Sequence, residues 1–425
     1  MPCREEIRRL SVVAAGLLCL ASTTTALAAT GESRDAITVE QAGAWAAHIA
    51  DHPHDYSGLY RDAGGRFVLT VHAGRDRAAS LRGLPVAQTQ AAQPRFPVTV
   101  QTRSRSYAEL TAVRDQIGNR HGAFGQTVGL PAVWAIDTEH NRIRVGLTEI
   151  TDAARSAAAA TYGDAVEVYE TDPFTPATKI TERSEPVEIV DVSRSDSTLA
   201  PPGNRLLDGR PYFIGDRILS VRGNVVVECT SAYHTNDFWR VLTAGHCFNQ
   251  DEQVYQGYFN QNDRRAYATA SLGRVASVQW GNDQIDGEEI RIHDEVETTH
   301  TFWTGNVTSP TSAARLGHSH AYQGERVCSN GSVTGEVCGA RVTGVDGCYP
   351  VGDVRVCGLD VAQSDDGRRI VEHGDSGGPT IAYGTNGASF KGIISAGNVG
   401  PGPGDGPGDR MLFVDSWHVC CTFAC

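Results

Sequence analysis

The segment Val241-Leu242-Thr243-Ala244-Gly245-His246-Cys247 decides how the second half of the chain is read. Two apolar residues end a strand, two small residues allow a tight turn, and the turn carries a histidine beside a cysteine. Around it the texture is uniform. Short apolar runs at 225–227, 275–278, 290–292, 393–394 and 411–414, with Val327 between them, are separated by Gly, Asn and Asp. Runs of this length with such punctuation read as strands, and helical periodicity is nearly absent, so the region is an all-β domain, sandwich or barrel.

Upstream the pattern changes to α/β. Thr38-Val39-Glu40-Gln41 and Ser106-Tyr107-Ala108-Glu109 have capping-box spacing ahead of helically spaced apolar residues, Ala42, Trp45, Ala46 and Ile49 in the first, Leu110, Val113 and Ile117 in the second. Strands are expected at 59–60, 67–71 and 98–101, a second hairpin at 133–137 and 142–147, then a helix near 152–162 and a strand at 165–169. From Pro173 the chain is polar and proline-bearing to about 204, which reads as a linker and the natural place for proteolytic separation. The expected division is therefore a leader at 1–28, an α/β region at 29–172, a linker at 173–204 and a β domain at 205–425.

The whole chain has 425 residues, with 37 basic against 50 acidic side chains, hence a formal charge of 37 − 50 = −13. That length gives room for two or three cores, and the net acidity excludes nucleic acid and anionic membrane as main partners. Arg4, Arg8 and Arg9 precede an apolar run at 10–21, and Ala26-Leu27-Ala28 offers a cleavage site, the layout of a secretory signal peptide too short to span a bilayer. The protein is expected to be secreted. Of eleven cysteines, nine lie at or after Cys229, which in an oxidising compartment points to disulfides; no Cys-x-x-Cys occurs, so no metal site is expected. The His-x-His pairs His52/His54 and His318/His320 read as solvated loops without a third ligand. Sequons at Asn306 and Asn330 are read as coincidence.

A second chemical segment lies downstream, Gly374-Asp375-Ser376-Gly377-Gly378-Pro379, a serine in a glycine-dense turn. A serine hydroxyl is a poor nucleophile at neutral pH and needs an imidazole to take its proton, while the tetrahedral intermediate needs N–H groups aimed at its oxyanion. His246, Ser376 and the amides of Gly374 and Ser376 could supply these. Together the two segments resemble the chymotrypsin-like serine proteases, in the bacterial streptogrisin and alpha-lytic protease branch. The resemblance covers about the last half of the chain.

What that resemblance implies is specific. The fold would be a trypsin-like double six-stranded β-barrel preceded by a small α/β pro-region, a mixed architecture overall. The activity would be that of a serine endopeptidase made as a zymogen, without cofactor, monomeric, with protein or peptide substrates and its own pro-region as partners. Disulfides Cys229–Cys247 and Cys328–Cys338 follow from it, and Ser395-Ala396-Gly397 would pair with the substrate backbone. The third triad member would be a carboxylate between His246 and Ser376. Asp283 and Asp286 both qualify, and Asp286 is preferred because Ile290-Arg291 follow it at the branch's spacing. Asp375 would hold the nucleophile turn through a buried ion pair. Cys348 and Cys357 can close a hairpin of their own, whereas Cys420, Cys421 and Cys425 stay unassigned. The glycine-proline stretch 400–408 reads as a flexible or extended loop near the primary specificity pocket, which carries no clear charge and so suits a small or apolar side chain. Two other readings stay open: a non-catalytic binding module on the same scaffold, and a first domain that is never removed. A mature N-terminus near 29 would keep that domain, and one near 185–215 would remove it.

Overall fold

The computed structural model describes residues 36–85, 95–118, 125, 128, 131–192, 203–293, 296–351, 354–402 and 404–425, so the expected leader lies outside it. The first unit runs β1 (Ala36–Ile37), α1 (Val39–Asp51), β2 (Tyr56–Arg61), β3 (Phe67–His72), α2 (Arg77–Gly83), β4 (Phe96–Arg103) and α3 (Tyr107–Ile117). Both capping boxes form; Thr38 Oγ1 accepts from the Gln41 N–H at 3.1 Å, and Gln41 Oε1 accepts from the Thr38 N–H at 3.0 Å. Such caps contribute about 1 kcal/mol each. Trp45 and Ile49 on α1 pack on Leu59, Phe67 and Leu69 of a sheet ordered β1-β4-β3-β2. Helix α2 was not expected. It starts on an Asp76 cap and buries no side chain, so it carries no apolar period to read.

The remainder of the α/β region belongs to a different sheet. β5 (Val133–Asp137) and β6 (Arg142–Leu147) form the expected hairpin, α4 (Asp152–Tyr162) follows, and β7 (Val166–Glu170) lies parallel to β6. β5 also pairs with a strand of the C-terminal region through Val345↔Ile136 and Cys348↔Trp134. Of the stretch read as a linker, the part at 173–192 is likewise structured. It holds β8 (Thr175–Pro176), β9 (Lys179–Glu182) and β10 (Ile189–Asp191), each paired with a C-terminal strand. Backbone hydrogen bonding to an open strand edge needs no apolar side chains. A polar sequence therefore hides it.

The C-terminal region continues with β11 (Tyr212–Ile214), β12 (Arg217–Arg222), β13 (Val225–Thr230), β14 (Tyr233–His234), β15 (Arg240–Thr243), β16 (Gln253–Asn260), β17 (Arg265–Gln279) and β18 (Gly287–Ile292). β13 and β14 are nearly one strand, so the pairings β12-β13, β14-β15, β15-β18, β18-β17, β17-β16 and β16-β12 close a ring. After β19 (Thr298–Thr304) and β20 (Thr311–His318) come β21 (Arg326–Gly331), β22 (Gly335–Val351), β23 (Val354–Ser364), β24 (Pro379–Gly384), β25 (Gly387–Gly397) and β26 (Arg410–Asp415). These close a second ring in the order β21-β22-β23-β26-β25-β24-β21.

The chain ends in α5 (Ser416–Phe423), a helix the β texture did not announce, capped by Asp415 and anchored by buried Val419 and Phe423. Disulfides join Cys229–Cys247, Cys328–Cys338, Cys348–Cys357 and Cys420–Cys425. His320 is not in a solvated loop. Its side chain is nearly buried, with Nδ1 2.9 Å from Asp415 Oδ1. Among the described residues no helix is long and apolar enough to cross a membrane.

Candidate active site

The two rings present their connecting turns to one another, and the chemistry-bearing residues meet there. His246 sits in the turn after β15. Gly245 allows this turn to lie on the neighbouring backbone, because a Cβ there would fall 2.2 Å from the Gln279 carbonyl oxygen and 2.8 Å from that of Gly287. The Cys229–Cys247 disulfide ties the same turn to β13. Asp286, immediately before β18, is wholly buried and accepts twice from His246: Oδ1 from the backbone N–H at 3.1 Å, Oδ2 facing ring Nδ1 at 2.7 Å. On its other side, His246 Nε2 is 2.8 Å from Ser376 Oγ. Trp280 lies beside the imidazole, ring centroids 5.1 Å apart.

Asp283, the alternative acid, is elsewhere. It is half-exposed, has a φ of +66° and pairs with Arg355. Asp286 is steadied further by Ser395, whose Oγ donates to Oδ2 at 2.5 Å and lies 3.3 Å from the Tyr349 hydroxyl. Burial holds the Tyr349 phenol well above its ordinary pKa, so it stays neutral. Glu288 is buried two residues beyond Asp286, and desolvation pushes its carboxyl well up, with the Asp286 charge adding to the effect.

The serine turn is built from constrained backbone. Gly374 and Gly377 have φ of +102° and +83°, and a Cβ on Gly377 would stand 1.9 Å from Thr243 Oγ1 and 2.4 Å from the Thr230 carbonyl oxygen. The ion pair expected for Asp375 is not how this turn is held. Its carboxylate accepts from the N–H groups of Val333 (2.8 Å), Thr334 (3.1 Å) and Glu372 (2.9 Å) and from Thr334 Oγ1 (2.8 Å). Among the described residues no cation is paired with it. Desolvation nevertheless raises its pKa, against the pull of those donors.

The N–H groups of Gly374 and Ser376 converge on one acceptor, the carbonyl oxygen of Ala177, at 2.5 and 3.2 Å. The segment around Ala177 lies along Ser395, Ala396 and Gly397 as an added antiparallel strand: Ala177 N–H donates to the Ser395 carbonyl at 3.3 Å, and Pro176 and Thr175 are in register with Ala396 and Gly397. The Ala177 side chain is fully buried within the apolar cluster that includes Val371, Ile394, Val399 and Met411. Beyond it, His373 stands between two carbonyls, Nδ1 3.2 Å from that of Thr178 and Nε2 2.7 Å from that of Gly400. In the glycine-proline stretch, Gly404 is held against the serine-turn segment: Arg369 Nη2 donates to its carbonyl at 2.7 Å, and its N–H donates to Glu372 at 2.9 Å.

The likeness is to bacterial chymotrypsin-like serine proteases. Cellulomonas bogoriensis chymotrypsin aligns at 20% identity over 50% of this chain and 97% of its own, TM-score 0.36. Thermobifida fusca protease A aligns at 19% identity, over 50% and 95%, TM-score 0.37. Nocardiopsis protease aligns at 18%, over 50% and 96%, TM-score 0.37. No protein-family profile and no curated protein matches the chain.

The residues singled out from sequence, His246, Asp286, Ser376, Gly374 and Ser395–Gly397, are thus brought to one place. Ala177 and its neighbours were missed. Nothing in Phe174-Thr175-Pro176-Ala177-Thr178 departs from ordinary linker composition, so no local signal could have found them.

Proposed function

We propose that the chain is the precursor of a secreted serine endopeptidase, a zymogen whose N-terminal region occupies its own catalytic groove. Ser376 Oγ would attack a peptide carbonyl carbon while its proton passes to His246 Nε2. The carbonyl oxygen, now carrying negative charge, would be held by the Gly374 and Ser376 N–H groups, and Asp286 would fix the imidazole tautomer and stabilise the imidazolium. His246 would then protonate the departing amine as the C–N bond breaks, leaving an acyl-enzyme. Water, deprotonated by the same imidazole, would release the acid and restore the hydroxyl.

One observation carries this reading. A backbone carbonyl is seated on the two amides where an oxyanion would form, its residue paired with the strand expected to bind substrate. On that geometry the self-processed bond is Ala177–Thr178, upstream of the 185–215 window taken from sequence. It also argues for a small apolar residue on the acyl side, since Ala177 is enclosed by aliphatic neighbours. The signal peptide and disulfides fit export.

A fluorophosphonate probe applied to the secreted protein tests the reading. Label should fall on Ser376, only on molecules cut after Ala177, and should vanish in His246→Ala. Label on another serine, or none on the cut protein, would overturn it.

A further inference from the structure

We propose that Glu228 is a specificity-determining residue, selecting a lysine two positions beyond the cut bond. This rests on the protease reading above, because it takes the Ala177–Thr178 bond as the one presented for attack. Thr178 is then the first residue of the leaving side and Lys179 the second. From Lys179 onward the chain forms β9, antiparallel to β13 in the register Lys179↔Glu228, Ile180↔Val227, Thr181↔Val226 and Glu182↔Val225. Next to Glu228 on β13, Cys229 is bonded to Cys247 of the histidine turn and Thr230 Oγ1 donates to the Gly374 carbonyl at 2.8 Å, so an extended peptide leaving the serine turn along β13 meets Glu228 at that position.

Glu228 is built to receive a cation there. It is 1% exposed. Its Oε1 accepts from the Phe259 N–H at 3.1 Å and lies 3.7 Å from Arg217 Nη1, but Arg217 spends its other nitrogens on Ser332, with Nη2 donating to the carbonyl at 2.5 Å and Nε to Oγ at 3.3 Å. Oε2 forms an ion pair with Lys179 Nζ, and among the described residues no other hydrogen-bond donor reaches it. The Lys179 stem passes along Gly374, where an added Cβ would be 3.5 Å from Lys179 Cβ. Arg217 already pairs with Oε1, but a buried Oε2 with no other donor is costly unless an incoming group supplies one, and a cation does so best. Backbone pairing with β13 accepts any extended sequence, and the side-chain pair adds the choice. An ammonium on a four-carbon stem reaches a single oxygen end-on, whereas the guanidinium fork wants two. For a separate substrate to bind, β9 must vacate this edge, and the substrate's own second leaving-side residue then takes the place of Lys179.

The test uses enzyme recovered after expression of the full chain and peptides ending Pro-Ala before the bond and Thr after it. The second leaving-side residue is Lys, norleucine or Glu. Wild-type kcat/KM should favour Lys over norleucine by about tenfold or more, with Glu poorest. In Glu228→Gln the Lys-to-norleucine ratio should fall close to one, a ratio within one preparation that is insensitive to how much enzyme is folded. Equal cleavage of the three peptides by wild type, or a lysine preference that survives Glu228→Gln, would overturn the assignment while leaving the protease intact. If Glu228→Gln does not fold, the wild-type series alone decides. Failure of wild type to cut any peptide would remove the protease reading, and this proposal with it.

Discussion

The carbonyl oxygen of Ala177 lies 3.2 Å from the backbone nitrogen of Ser376, close enough to accept its N–H. The amide that would steady an oxyanion is therefore engaged by the chain's own backbone. The same segment holds the strand edge of Ser395–Gly397, so both elements that the proposed reading gives to substrate are filled at once.

Full-length protein carrying Ser376→Ala should accumulate uncut, whereas wild type should yield a fragment beginning at Thr178. Intact-mass and N-terminal analysis of the secreted species checks this. A wild-type N-terminus anywhere other than Thr178 would contradict the placement of Ala177.

The two candidate acids separate cleanly by mutation. Asp286→Asn leaves the imidazole without its acceptor and should lower kcat by about four orders of magnitude. Asp283→Asn removes a half-exposed partner of Arg355 and should change kcat less than about threefold. Ser395→Ala, which deletes the 2.5 Å donor to Asp286, should fall between, at roughly tenfold. Steady-state kinetics on a Pro-Ala peptide measures all three.

Gly377→Ala should prevent the Ser376 turn from forming, because the new Cβ would overlap Thr243 Oγ1 at 1.9 Å while the backbone holds φ at +83°. Gly223→Ala, with φ of +63° but open space around it, should cost only about 1–2 kcal/mol. Secreted yield and urea midpoints of the two variants, in the Ser376→Ala background, make the comparison.

Burial depresses the His234 imidazole to about 3, with Nδ1 2.9 Å from the Thr299 carbonyl oxygen. A group whose folded value lies below its unfolded one, near 6.5, stabilises the fold above that pH and loses this contribution as pH falls towards the folded value. Between pH 7 and 5 the loss from His234 is about 2 kcal/mol. His234→Gln, again with Ser376→Ala, should show a shallower fall in urea-unfolding free energy over that interval. Parallel curves for the two proteins would contradict it.

The His246 and Ser376 turns were legible because their backbone demands particular small residues at fixed places: Gly245 where two backbones touch, Gly374 and Gly377 where φ is positive. Helices α1 and α3 were legible because a cap preceded an apolar stripe. The strands inside the expected linker were not, since Thr175–Pro176 and Lys179–Glu182 are held through backbone pairing that any sequence can make. The same limit applies to Asp375. Its nearest polar contacts come from residues more than 40 positions away as well as from Glu372, and a sequence motif cannot distinguish amide donors from a cation.

β8 and β9 sit on opposite sides of the Ala177 carbonyl and belong to the same molecule as the serine beneath it. On the proposed self-processing, the first cut would thus be a unimolecular event. Its half-time should not shorten when precursor is concentrated, and a freshly secreted population would switch on by an internal clock instead of by a chain reaction among neighbours.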